Sequence, residues 1–187
     1  MSTTRRLITA VAIAALFATT AAGFPTRNIP PAKWADHVCG SVKEWVSAIQ
    51  AKAKSVQTEL GADTSVAATK RTLVSFLGAS TSQTAHLVDR LESSGTPDTP
   101  KGKGARLALT KGFAKVETTL HGMQREAKAV NASHPKAAAV ALRRIGVQMQ
   151  TRLGNMGDSF GNLDHFDPGK HLKKAFGASK VCKTLSN

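Results

Sequence analysis

Tyrosine is absent from this sequence, and aromatic residues make up only 5% of its 187 positions. A β-sandwich or barrel core leans on aromatic and β-branched side chains, so this scarcity favours helices. Acids are sparse too, with 12 aspartates and glutamates against 26 lysines and arginines. No internal repeat at a fixed period occurs, which argues against a solenoid, and there is no low-complexity tract. Past the N-terminus, no apolar run approaches the roughly 20 residues that a membrane helix needs.

The usual catalytic signatures are missing as well. There is no Gly-x-Ser-x-Gly elbow and no His-Glu-x-x-His string. With no strand expected, no glycine-rich phosphate loop can follow one. The six histidines are His37, His86, His121, His134, His165 and His171, and no two are four residues apart, as a helical metal site requires. The Glu-x-x-His motif of helical di-metal proteins is also absent. Only residues 162–167 gather acid–base groups locally, in Asp164, His165 and Asp167, and such residues are also ordinary turn formers. An enzyme is therefore not expected, nor is a bound metal or cofactor.

What is present begins with residues 1–22. Arg5 and Arg6 precede the uncharged apolar run of residues 7–17, and small residues follow up to Gly23. Basic, apolar and small segments in that order predict a cleaved secretory signal, and Thr19 and Thr20 cut the apolar run short of a membrane span. The paired arginines also suit a twin-arginine signal, so the export route stays open. The mature chain would be secreted or held at the cell envelope, with no transmembrane helix. Its length suits one domain: an extended leader over residues 23–33, rich in proline, and a helical domain over residues 34–187.

Cys39 and Cys182 are the only cysteines. In an oxidising compartment such a pair is expected to bond, here as a structural disulfide rather than a local redox pair.

Hydrophobic periodicity predicts an all-α fold, an up-down four-helix bundle plus a short C-terminal helix. The first helix, residues 34–60, carries Val38, Val42, Trp45, Ile49, Ala53, Val56 and Leu60 on one stripe. The second, residues 65–92, has a polar and weakly periodic middle at residues 80–84, where a kink or thin core is expected. The Ser-Gly-Thr-Pro-Asp-Thr-Pro string of residues 94–100 is a loop. The third helix, residues 104–130, presents Ala105, Leu109, Phe113, Val116, Leu120, Met123 and Ala127. The fourth, residues 136–163, uses Leu142, Ile145, Met149, Leu153, Met156 and Phe160, and its glycines suggest either close helix approach or fraying. A last helix over residues 170–185 brings Leu172, Phe176 and Cys182 inward, with Cys182 in reach of Cys39.

The basic excess is the strongest functional signal. Residues 99–116 hold Lys101, Lys103, Arg106, Lys111 and Lys115 without an acid, and the C-terminal segment holds Lys170, Lys173 and Lys174. Summed charge of this kind attracts polyanions. For an exported protein the expected partner is anionic envelope polymer or an anionic lipid surface. Aromatics do not interleave with the basic residues, so sequence-specific nucleic-acid reading is not expected. The alternative function is a small-ligand or metal carrier using a pocket between helices. Oligomeric state is open.

The string Trp34-Ala35-Asp36-His37-Val38-Cys39-Gly40, with Trp45, the Gly95-Thr96-Pro97 loop and a late cysteine before Leu185, resembles small secreted or lipid-anchored helical proteins of actinobacteria. The resemblance spans nearly the whole mature chain. It implies a helical fold, an extracytoplasmic compartment and a disulfide, and no particular activity.

Overall fold

A computed structural model describes residues 27–61, 64–154 and 162–185. The expected signal segment, residues 1–22, lies outside the described residues, as do Met156 and Phe160 of the fourth expected helix.

Helix α1 (Pro31–Glu59) opens with proline in its first turn. There the missing N–H is not needed and the fixed φ already suits a helix. It therefore starts earlier than the expected Trp34 and takes residues 31–33 out of the leader. Its stripe is buried at Trp34, Val38, Val42 and Trp45, and only half-buried from Ile49 onward. Ser65 caps α2 (Val66–Ser93), its Oγ accepting from the Ala68 amide at 3.2 Å.

Two very short strands, β1 (Asn28–Ile29) and β2 (Thr96–Pro97), pair in parallel with Asn28 opposite Thr96 and Ile29 opposite Pro97. The expectation of no strands is corrected to this extent. Gly95 makes the pairing feasible. Its φ of +81° is one that side chains rarely tolerate, and a Cβ there would lie 2.8 Å from the Arg27 carbonyl oxygen. The chain can then run close to the leader, with the Thr96 amide on Arg27 at 3.0 Å and the Asp98 amide on Ile29 at 2.8 Å.

Helix α3 (Gly102–Ala129) returns along α2 in the most extensive helix pairing of the molecule. Helix α4 (Pro135–Gly154) rests on α3 and α2. The fourth helix does not run unbroken to residue 163, because Asn162–Phe166 form a 3-10 turn. The expected C-terminal helix is likewise two, α5 (His171–Ala178) and α6 (Lys180–Lys183), split at Ser179. Ser179 is extended, its Oγ accepts from the Cys182 amide at 3.2 Å, and its hydroxyl also donates to the Asp36 carboxylate on α1.

The result is the expected all-α bundle with a short C-terminal helical element. The Cys39–Cys182 disulfide joins α1 to α6 across 143 residues of sequence, with the two Cα atoms 5.1 Å apart.

Two hydrophobic centres hold it together. The first, at the disulfide end, packs Trp34, Val38, Trp45, Leu87, Leu109, Phe113 and Leu172. Two edge-to-face ring pairs, Trp34 with Phe176 and Trp45 with Phe113, stand there at 5.7 Å, a geometry favoured by the ring quadrupoles. The second packs Phe76, Leu77, Leu120, Met123 and Ile145, and its contributions from α1 are only partly covered. Because α4 leans on α3 and α2, the distal half of the α1 stripe lacks a full partner.

Candidate functional site

The basic residues of α3 do not form one stripe. At 3.6 residues per turn, Lys103 and Arg106 lie about 60° apart on one flank, and Lys111 and Lys115 about 40° apart on the other. Lys101 is exposed at the N-cap. Arg106 is half-buried, and its Nη1 donates to the Glu92 carbonyl at 3.3 Å, so it braces α3 against the end of α2. Lys170 is exposed and caps α5 in the left-handed region, at φ 53°. Lys173 and Lys174 are exposed in the first turns of α5.

Lys111 and Lys115 meet at a groove of about 740 Å³ between α3 and the 3-10 turn. Ala108, Gly112 and Ala114 give it a low floor, while Thr118, His165 and Phe166 complete the wall. Among the described residues, no carboxylate lines it. The Thr118 hydroxyl donates to the Ala114 carbonyl at 2.9 Å and keeps its lone pairs outward-available. His165 stands edge-to-face on Phe166 with centroids 5.2 Å apart. Gly104 lets the turn sit this close, since a Cβ there would lie 2.6 Å from the Phe166 ring. Two ammonium groups one helical turn apart, with an imidazole opposite, form a pocket of positive potential.

The acid–histidine string of residues 162–167 is dispersed by the fold. His165 turns to the α3 groove, whereas Asp164 and Asp167 line a second cleft. Asp167 has a structural task, since its Oδ2 accepts from the Lys173 amide at 2.9 Å and satisfies a free N–H in the first turn of α5. Its residue is only 6% exposed, and Oδ1 is buried with no hydrogen-bond partner among the described residues. The cleft itself measures about 550 Å³ and runs between α1, α5 and the 3-10 turn, walled by both half-cystines with Val42, Val46, Leu172 and Phe176.

Periodicity missed a buried polar relay at the bundle centre. The Trp45 indole donates to Thr84 Oγ1 at 3.0 Å, and the Thr84 hydroxyl donates to the Ser80 carbonyl at 2.8 Å. Ser80 and Thr84 are among the most buried residues, so the polar middle of α2 faces the core rather than thinning it. The Ser80 hydroxyl has no partner among the described residues and borders an apolar hollow of about 210 Å³ between α1, α2 and α3. Val46 lines both this hollow and the cleft beside the disulfide.

Among the described residues, no helix is long and apolar enough to cross a membrane. Nor do three or more His, Cys, Asp or Glu side chains among them converge where they could hold a metal ion. No family model, no curated protein and no solved structure matches the chain.

Proposed function

We propose that this protein is an exported, non-catalytic binding module that docks on anionic envelope polymer through the α3 groove. The observation that carries the reading is the pairing of Lys111 and Lys115 in a concave wall that no carboxylate lines among the described residues. A chain of tetrahedral phosphodiesters presents singly charged oxygens at intervals. Lysine ammonium groups suit such oxygens as point charges, and the His165 imidazole on the facing wall adds a ring N–H donor. The formal net charge of +14 falls only to +12 without Arg5 and Arg6 of residues 1–22; it steers the polymer to the surface, and the groove gives it one place to settle.

Export fits the same reading. A disulfide spanning the bundle persists in an oxidising compartment, and the basic, apolar and small segments of residues 1–22 are what a secretory signal requires.

The test is retention of the oxidised protein, lacking residues 1–22, on immobilised poly(glycerol phosphate) at low and near-physiological salt. Reversal of the groove pair, Lys111→Glu with Lys115→Glu, is expected to abolish retention at the higher salt. Reversal of Lys101 and Lys103 makes the same change in net charge outside the groove and is expected to weaken it only at low salt, where surface charges are poorly screened. Equal losses from the two pairs would leave generic charge as the whole explanation. Retention on vesicles of anionic lipid, but not on the polymer, would transfer the site to a membrane surface.

A further inference from the structure

The cleft beside the disulfide has features that polymer docking does not use. Its volume of about 550 Å³ falls within the range of small-molecule sites, and its walls are chiefly apolar, from Val42, Val46, Leu172 and Phe176. On a chain of net charge +14, its rim carries two carboxylates, Asp164 and Asp167. Asp164 makes no side-chain hydrogen bond among the described residues, and Lys173 at the same rim is exposed to water. Asp167 is the unusual member. One carboxylate oxygen is held by the Lys173 amide, and the other is buried at the cleft wall with no donor among the described residues. A buried acceptor in that state is costly until a donor reaches it.

The cleft also has an extension. Cys39, Val42, Val46 and Ile49 follow one face of α1 for about 15 Å at 1.5 Å per residue. Val46 borders both the cleft and the 210 Å³ apolar hollow where Ile49 and Phe76 meet. An elongated guest could therefore keep its polar end at Asp167 and run its tail along α1.

We infer that the cleft binds a single-chain amphiphile, its alkyl tail along Val42, Val46 and Ile49 and its head donating a hydrogen bond to Asp167. A hydroxyl and a primary ammonium share that donor chemistry. A carboxylate head offers Asp167 no donor and meets two carboxylates of like charge at the rim, opposed only by the Lys173 ammonium, which is exposed to water and screened by salt. The tail gains about fourfold in affinity for each methylene it buries, so dodecyl compounds bind far more tightly than octyl ones.

The experiment uses the oxidised protein lacking residues 1–22, at near-physiological salt so that the overall positive charge is screened. N-phenyl-1-naphthylamine reports occupancy by its fluorescence, and dodecylamine, dodecanol and dodecanoate compete at concentrations where each is monomeric in solution. The amine and the alcohol are expected to displace the dye at least tenfold more effectively than the carboxylate, and their ratio tells which donor head the site prefers. Val46→Phe fills the tail path from a half-buried position, and is expected to abolish displacement while helix content and melting temperature hold. Asp167→Asn retains an oxygen for the Lys173 amide but turns an N–H₂ toward the guest, so head preference should invert in favour of dodecanoate. Dye that does not bind, a carboxylate that competes best against the unaltered protein, or a head preference unmoved by Asp167→Asn would each overturn the assignment.

Discussion

Thr84 shows how much one hydroxyl can decide. It accepts from the Trp45 indole and donates to the Ser80 carbonyl, in a part of the core closed to water. Thr84→Val preserves shape but leaves the indole N–H without an acceptor. The expected loss is about 1–3 kcal/mol, read as a lower urea midpoint at unchanged slope. Thr84→Ser keeps the hydroxyl and should recover most of it. A valine variant as stable as the parent would mean that the indole finds another partner. Trp34 offers the contrast, since it is fully buried and its indole N–H has no partner among the described residues. Its place is secured by packing on Phe176 rather than by a hydrogen bond.

At the scale of elements, the glycines of the fourth helix separate two ideas about that helix. A Cβ added to Gly146 would meet nothing within 4 Å, so this glycine does not serve close approach. Gly146→Ala is expected to raise stability by up to about 1 kcal/mol, the propensity difference in a helix interior, and thermal unfolding would register it. A loss on that substitution would mean that α4 needs the glycine for a contact made elsewhere. The main helices were legible in the sequence because their apolar stripes keep the 3.6-residue period, as Val38, Val42 and Trp45 do on α1 and Leu109, Phe113 and Leu120 on α3. Ser80 and Thr84 were misread because periodicity counts a hydroxyl as polar, whereas in a helix it can bond a preceding carbonyl and enter the core. The β1–β2 pairing was invisible because two residues carry no alternating pattern. Of the candidate site, the acid-free run around Lys111 and Lys115 stood out in the sequence. The groove did not, since it arises where a 3-10 turn more than forty residues away lies across α3. Asp167 read as a turn former and does cap α5, but only the packing around it reveals the oxygen left over.

The whole molecule is graded in firmness. Its disulfide end holds the aromatic pairs, the paired strands and the docked α5, while the distal half of α1 is only partly covered. The disulfide belongs to the firm end and closes a loop of 143 residues. The chain-entropy model assigns such a loop about 5 kcal/mol. Replacing both cysteines by serine is expected to cost about 2–5 kcal/mol, seen as a lower urea midpoint that reducing agent no longer moves. A double variant as stable as the oxidised parent would mean that the packing of Leu172 and Phe176 alone holds the C-terminal helices in place.

That covalent closure also settles what the molecule does under tension. Helices α2 to α5 and most of α1 lie inside the ring closed between residues 39 and 182. A pull applied at the two ends runs from the first turns of α1 through the sulfur–sulfur bond to α6 and out. Helices α2, α3 and α4, with the groove and the relay they carry, are off that load path. Anchored by one end and tugged by the other, the oxidised protein would keep its α3 groove intact, whereas the cleft walled by both half-cystines would feel the strain.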